Sequence, residues 1–182
     1  MKKLMVLLLA ALVLPFSVHA EKKTNLVKIQ GGQTFNDLSK GVTQSLSEEN
    51  AGEGNSASLK VTWESDQAGC GVYNPLLKDW SAASSIVIKV FYPGKAISEL
   101  NLVVVPKDFK GKSRYEARSD SKYILKPGQN TIKIPLGDLV SNGGQPLDLK
   151  QIVHFYFAPD VKALAADKQF TIFFQELYLV SE

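Results

Sequence analysis

Short runs of alternating apolar and polar residues fill the last third of the chain, and they constrain its fold more than any other feature. A Pro127-Gly128 turn leads into the alternating segment 131–135, and further runs cover 151–157 and 170–179. Successive side chains of a β-strand point to opposite faces, so these runs predict strands with one buried face. The pattern describes a sheet and contains no catalytic motif.

Alternation and turn residues along the rest of the chain predict about nine strands and one short helix. The predicted strands lie at 26–29, 58–64, 85–92, 99–105, 114–119, 122–125, 131–134, 151–157 and 170–180. The helix lies at 161–166, and the polar segment 47–55 is predicted to be a mobile loop or hairpin. Together they predict an all-β fold, an antiparallel two-sheet β-sandwich or jelly roll.

The first twenty residues have the organisation of an export signal. Lys2 and Lys3 supply positive charge, residues 4–14 are apolar, and Val18-His19-Ala20 matches a small-x-small cleavage site. An apolar run of 11 residues is shorter than the roughly 20 that span a bilayer. We therefore predict a cleaved signal peptide at 1–20, no membrane span, and one exported domain at 21–182, periplasmic or secreted.

Charge and cysteine content exclude several classes of function. Lys2 and Lys3 leave with the signal, so 19 of the 21 basic residues remain against 18 acidic ones, which gives no electrostatic basis for nucleic-acid binding. Cys70 is the only cysteine, so a disulfide framework is impossible. We predict that Cys70 is a small buried residue, the alternative being an exposed reactive thiol.

Four motifs occur in an order that is typical of one family. They are Gly-Asn-Ser-Ala-Ser-Leu-Lys-Val at 54–61, Asp79-Trp80-Ser81 before the strand at 85–90, the segment 125–139 with its Pro-Gly turn, and Leu-Asp-Leu-Lys-Gln-Ile at 147–152. Over residues 33–180 this order resembles the carbohydrate-binding modules of glycoside hydrolases that have the galactose-binding-like jelly-roll fold. The resemblance implies non-catalytic binding of a polysaccharide or oligosaccharide. Related jelly rolls also serve as protein-interaction domains.

The same family often carries a structural calcium ion, and here the sequence departs from the pattern. The positions of two calcium-binding carboxylates match Asn36, after Phe35, and Gln175, before Glu176. An amide keeps an oxygen ligand but loses the negative charge that calcium sites require among their ligands. We predict a weakened or absent calcium site and no other cofactor.

The two arginines of the chain, Arg114 and Arg118, stand four residues apart in a segment predicted to be a strand. On a strand they would share a face with Glu116, and Tyr115 would face the other way. Sugar sites combine an aromatic platform with planar hydrogen-bonding groups, of which arginine is one. The alternative is an edge strand kept soluble by its charges.

The strand at 151–157 places His154 and Tyr156 on one face. His154 is predicted to be either a satisfied sheet histidine or a ligand hydrogen-bonding group. The predicted ligand-binding residues are Asp108, Arg114, Tyr115, Arg118, His154 and Tyr156. Tyr73, Trp80 and Tyr92 would extend such a surface unless they pack in the core.

The sequence contains few candidate catalytic residues. No G-x-S-x-G nucleophile motif is present, and His154 is the only histidine after residue 20. The carboxylates with strand-like surroundings are predicted to be surface groups or ligand contacts: Glu64, Asp66, Asp108, Glu116 and Glu176. We predict a non-enzymatic glycan-binding protein. The alternative is an envelope or periplasmic interaction or scaffold module of the same fold, which binds a protein partner and no sugar.

Overall fold

Eleven β-strands and two short α-helices make up the part of the chain that the computed structural model describes, residues 21–181. The predicted export signal at 1–20 lies outside the described residues. The strands are β1 (Lys22–Val27), β2 (Asp37–Leu38), β3 (Val42–Ser47), β4 (Ser58–Trp63), β5 (Cys70–Tyr73), β6 (Ser85–Tyr92), β7 (Ser98–Pro106), β8 (Ser119–Leu125), β9 (Gly128–Pro135), β10 (Ile152–Ala158) and β11 (Phe170–Ser181). The helices are α1 (Arg114–Ala117) and α2 (Val161–Asp167). Within residues 21–181, no helix is long and apolar enough to cross a membrane.

The strands pair into two antiparallel sheets. Sheet A has the order β3-β4-β11-β6-β9, and β1 joins it beside the C-terminal half of the long strand β11. Sheet B has the order β2-β5-β10-β7-β8. Strands that follow one another in sequence often lie in different sheets, as in a jelly roll. The predicted all-β, two-sheet antiparallel sandwich is therefore confirmed.

The inner faces of the two sheets pack together to form the core. Leu59, Val61 and Trp63 share the inner face of β4 and are fully buried, as their alternation predicts. The rings of Phe35, Phe157 and Phe174 meet with centroids 4.8–5.8 Å apart. Such contacts between the sheets fix which face of each strand points outward.

Several residues with two proposed roles prove to belong to the core. Trp80 is buried against Phe155, and its Nε1 donates to the Leu77 carbonyl at 3.0 Å, so Trp80 is not a rim platform. Tyr92 is buried as well. Cys70 is fully buried, as predicted, and this burial raises the pKa of its thiol well above the ordinary value.

The predicted strand at 114–119 is wrong, because its first four residues form the helical turn α1. Ser113 is the N-cap: its hydroxyl accepts from the Glu116 backbone N–H at 3.2 Å, and the Glu116 carboxylate accepts from the Ser113 N–H at 2.9 Å. This reciprocal capping box stabilises a helix start against a weak strand propensity. Arg114 and Arg118 therefore do not alternate along a strand with Glu116 and Tyr115, and β8 begins only at Ser119.

The N-terminal half holds three strands that the sequence pattern missed. They are β2, β3 and β5, and two of them have no more than four residues. The strand predicted at 26–29 lies instead at Lys22–Val27, since the chain turns at Ile29–Gly31 and leaves this turn through Gly32, whose φ is 80°. The helix predicted at 161–166 is confirmed as α2.

Candidate functional site

Tyr156 lies at the centre of the outer face of sheet B. Because β10 alternates, Phe155 and Phe157 point into the core, and His154 and Tyr156 point outward. Tyr156 pairs with Gly71 of β5 on one side and with Val103 of β7 on the other. Continued across the sheet, this row runs from Asp37 at one edge to Asp120 at the other.

Two glycines, Gly71 of the neighbouring strand β5 and Gly69 just before that strand, leave space for the Tyr156 ring. A Cβ added to Gly69 would lie 3.0 Å from Tyr156 Cδ2, and one added to Gly71 would lie 2.6 Å from Tyr156 Cβ. The half-buried ring also lies beside the His154 imidazole, with centroids 4.8 Å apart and planes inclined by 33°. Burial raises the pKa of the Tyr156 phenol, so the hydroxyl stays a hydrogen-bond donor at neutral pH.

Helix α1 forms a wall beside this ring. It packs over β7, where the outward-facing Val103 and Val105 are buried. The Arg118 guanidinium, just after α1, faces Asp120 with two nitrogens: Nη2 donates to Oδ2 at 2.8 Å, and Nε lies 2.8 Å from Oδ1. The same guanidinium lies 5.0 Å from the centre of the exposed Tyr115 ring. These contacts hold a planar, charged group at the rim of the sheet.

Arg114, His154 and Asp37 form a polar chain beside the Tyr156 ring. Arg114 Nη2 lies 3.0 Å from His154 Nδ1, and His154 Nε2 lies 2.8 Å from Asp37 Oδ2 in a bent contact. A guanidinium has donors only, so Nδ1 accepts and the imidazole proton lies on Nε2, towards Asp37. The chain therefore fixes both the ring orientation and the tautomer of His154.

The surroundings of His154 favour its neutral form. Burial lowers the pKa of His154 below its ordinary value of 6.5, Arg114 lowers it further, and the Asp37 carboxylate opposes both. At neutral pH the imidazole is uncharged and accepts from Arg114. Protonation would place an N–H at Nδ1 against the Arg114 donor and break this contact.

We expect the domain to lose stability as the pH falls below about 6.5, the ordinary histidine pKa. Because the pKa of His154 is lowered only in the folded state, the unfolded chain binds more protons in this range, and acid favours unfolding. Urea unfolding midpoints measured at several pH values between about 7.5 and about 5.5 test this. His154→Gln should reduce the slope of midpoint against pH, and equal slopes for both proteins would contradict the assignment.

Two adjoining depressions of about 380 and 300 Å³ make one groove over these residues. Both are lined by Gln67, Gly69, Arg118 and Tyr156, which makes them continuous. We call this surface the Tyr156 groove, and it is formed by Asp37, Gly69, Arg114, Arg118, Asp120, His154 and Tyr156. It combines an aromatic floor with hydrogen-bonding groups that other side chains already hold in place.

Four of the six predicted ligand residues come together in this groove: Arg114, Arg118, His154 and Tyr156. Tyr115 stacks above Arg118, at the outer rim. Asp108 lies in a separate depression with Lys110 and Lys112, and its Oδ1 accepts from the Lys110 backbone N–H at 2.8 Å. The exposed Tyr73 stands edge-on to His154 with centroids 5.7 Å apart, so it extends the groove at one end.

The prediction missed Asp37 and Asp120. Asp120 follows Arg118 at strand spacing, and this local signal was available in the sequence. Asp37 reaches His154 only through the pairing of β2 with β5 and of β5 with β10. A local sequence pattern does not indicate such a long-range contact.

The backbone of α1 is held by a turn at residues 141–144. The Asn142 backbone N–H donates to the Arg118 carbonyl at 2.8 Å, and its side-chain amide donates to the Tyr115 carbonyl at 3.0 Å. The Gly143 N–H donates to the Glu116 carbonyl at 2.9 Å. These bonds satisfy the last carbonyls of α1, so Asn142 sets where Arg114 and Arg118 stand.

The two amides at the expected calcium positions are engaged with protein atoms. Asn36 exchanges two hydrogen bonds with the Tyr73 backbone, at 3.0 and 2.8 Å, and Gln175 Nε2 donates to the Asn50 carbonyl at 2.7 Å. Glu176 is paired with Lys89 at 2.9 Å. Residues 21–181 contain no group of three or more histidine, cysteine or carboxylate side chains able to hold a metal. The side chains of Asn36, Gln175 and Glu176 are thus engaged in hydrogen bonds and an ion pair within the protein.

No protein-family model and no curated protein matches this chain. Solved structures match its fold. The family 11 carbohydrate-binding module of the cellulosomal cellulase Lic26A-Cel5E of Clostridium thermocellum superposes with a TM-score of 0.61 at 17% identity, covering 91% of this chain and 97% of the module. A family 11 module from the same organism, in complex with a β-1,3-1,4-mixed-linked tetrasaccharide, gives 0.60 at 16% identity, with 88% and 95% covered.

An exo-β-agarase also matches, with a TM-score of 0.64 at 14% identity. The match covers 87% of this chain but 25% of that enzyme. At such low identities the likeness concerns the fold. This chain has the jelly-roll β-sandwich fold of carbohydrate-binding modules.

Proposed function

We propose that this jelly-roll β-sandwich, which has the fold of carbohydrate-binding modules, is a non-catalytic domain that binds a polysaccharide or oligosaccharide in the Tyr156 groove. The observation that carries the proposal is the half-buried Tyr156 ring, which shares one groove with two fixed arginines on the outer face of sheet B. A sugar ring has apolar C–H faces and a rim of hydroxyl groups. The tyrosine matches the face, and Arg114, Arg118 and Asp120 match the rim.

Preorganisation supports the same proposal. Arg118 is held by Asp120 and Tyr115, and Arg114 is held by His154, before any ligand arrives. Side chains that are already ordered lose less conformational entropy on binding. The groove is also open, so a chain-like ligand can enter at either end.

The spacing of the groove carboxylates supports binding without hydrolysis. Asp37 and Asp120 lie on β2 and β8, the two edge strands of sheet B. Four strand spacings put their backbones roughly 19 Å apart, whereas paired glycosidase carboxylates stand about 5–10 Å apart. Asp37 also contacts His154 and Asp120 contacts Arg118, which leaves neither free to act as a general acid.

Affinity gel electrophoresis of residues 21–182 in neutral and acidic polysaccharides tests the proposal. We expect retardation in at least one polymer and release of no reducing sugar. Retardation in none would contradict it. A stoichiometric envelope-protein partner, recovered by pull-down and retained in excess sugar, would instead support the scaffold alternative.

The export signal that we propose at 1–20 predicts that the protein is recovered outside the cytoplasm.

Asn142→Ala should weaken glycan binding about fivefold, since the loss of one hydrogen bond of about 1 kcal/mol frees α1 and its arginines. Isothermal titration calorimetry against the retained polymer measures this. Asn130→Ala is the matched control, because the Asn130 side chain makes three hydrogen bonds with the turn at residues 126–128, between β8 and β9. If both variants bind like the wild type, the turn at 141–144 does not position the site.

A further inference from the structure

Three exposed aliphatic side chains lie together at one end of the Tyr156 groove. Ile97, Ile124 and Val161 are 69%, 65% and 51% exposed, and they line one depression of about 410 Å³. Scattered exposed aliphatic residues are ordinary on protein surfaces, but a cluster in one depression is less so. Neither the family resemblance nor the Tyr156 groove explains why these three aliphatic side chains are exposed together.

The depression is continuous with the groove. Asn101 and Lys122 line both this depression and the one over Tyr156. In the sheet, Tyr156 shares its row with Val103 and Asp120, the next row holds Asn101 and Lys122, and the row after that holds Glu99 and Ile124. Rows are about 7 Å apart along a strand and neighbouring strands are about 4.8 Å apart, so Ile124, two rows and two strands away, lies roughly 17 Å from Tyr156. A substituent on a sugar residue further along a glycan stacked on Tyr156 would reach Ile124.

Aliphatic groups with lysine donors beside them fit an ester-linked acyl group better than a bare sugar ring. Branched aliphatic side chains lack the flat face that stacks on a sugar, but they bury a methyl group well. Lys122 and Lys162 stand at the same depression, and an ammonium group offers three donors. Lys122 Nζ uses one of them on Glu99 at 3.2 Å, which leaves donors for an acyl carbonyl.

The one aspartate at the depression is already engaged. Asp160 accepts from the Ser98 hydroxyl at 3.0 Å and from the Glu99 and Lys162 backbone N–H groups at 3.2 and 2.9 Å. Burial raises the pKa of Asp160, but these hydrogen bonds together outweigh it and lower the pKa below the ordinary value. Asp160 therefore holds the walls together, and Lys122 and Lys162 supply the cationic donors at the depression.

We propose that the Ile97–Ile124–Val161 depression is a subsite for an O-acetyl substituent, so that the glycan this protein prefers is acetylated. This inference rests on the proposed function and names its ligand class more closely. A protein partner fits the depression less well. A stable protein interface buries about 800 Å² on each side, whereas this cluster consists of three side chains.

The test compares naturally acetylated glucomannan and acetylated xylan with the same polymers after mild alkaline deacetylation, by isothermal titration calorimetry. Wild type should bind an acetylated polymer about fourfold tighter than its deacetylated form, which corresponds to roughly 0.8 kcal/mol for one buried methyl group. Ile124→Ser and Val161→Ser should abolish this preference and leave affinity for the deacetylated polymer unchanged. Leu76→Ser is the matched control, since Leu76 is 98% exposed and lies outside the depression.

The outcomes separate the two claims. Equal affinity of wild type for acetylated and deacetylated polymer overturns the acetyl subsite and leaves the proposed function intact. A preference that survives in both serine variants, with thermal unfolding unchanged, also overturns it. No binding to any of these polymers or to those of the gel panel contradicts the proposed function itself.

Discussion

Tyr156→Ala is expected to lower glycan affinity about 30-fold or more, because truncating a central aromatic contact of an interface costs about 2 kcal/mol or more. The ring is the aromatic floor of the groove, so its loss removes the stacking surface. The substitution also removes the ring that packs against Gly69. Isothermal titration calorimetry with the retained polymer measures the loss. Thermal unfolding checks that the domain remains folded.

Phe91→Ala is the matched control for this substitution. Phe91 is also half-buried and lies on an outer sheet face, but on sheet A, where its ring contacts Phe173 with centroids 6.2 Å apart. Its truncation should lower stability by a comparable amount and leave glycan affinity unchanged. If Tyr156→Ala binds normally, or if Phe91→Ala loses affinity equally, the groove is not the binding surface.

Gly71→Ala is expected to destabilise the domain by about 3 kcal/mol, at the upper end of the cost of overpacking. A Cβ at this position would clash with the Phe155 carbonyl oxygen and with the Tyr156 backbone. These atoms belong to the paired strand, so the clash is relieved only if β5 moves away from β10. Such a movement tilts the tyrosine and displaces β2 with Asp37, so we expect glycan binding to be lost as well. Urea unfolding gives the free energy of unfolding.

Gly137→Ala is the control for this second substitution. An added Cβ there meets no atom within 4 Å, and the residue does not have a positive φ. We expect a change in unfolding free energy of less than about 0.5 kcal/mol and unchanged affinity. If Gly71→Ala is as stable as the wild type, the packing of β5 against β10 beside the Tyr156 ring does not require a residue without a side chain at position 71.

The two-sheet sandwich could be predicted from the sequence because several segments alternate strongly between apolar and polar residues. In β4 and β10, apolar residues recur on one face, and their burial follows this pattern. The short strands β2 and β5 were not predicted, because a segment of two to four residues is too short to show an alternating pattern. They gain their place from pairing with β10, which is a long-range contact.

The groove was predictable in part, for reasons that differ between its residues. His154 and Tyr156 follow from strand alternation, and the arginines follow from their rarity in the chain. Their local structure was mispredicted because the Ser113–Glu116 capping box was overlooked in favour of alternation. The roles of Asp37, Gly69 and Gly71 depend on which strands are neighbours, and local sequence does not encode that.

The most direct test of the central claim is a chemical-shift titration of ¹⁵N-labelled residues 21–182 with the glycan retained in the gel assay. We expect shifts for amides around Gly71, Arg118, Asp120 and Tyr156, and for the Asn142 side-chain amide. Amides on the outer face of sheet A, such as those of Lys60 and Phe91, should not shift. Shifts confined to sheet A or to the loops at 48–57, with the outer face of sheet B silent, would contradict the assignment of the Tyr156 groove.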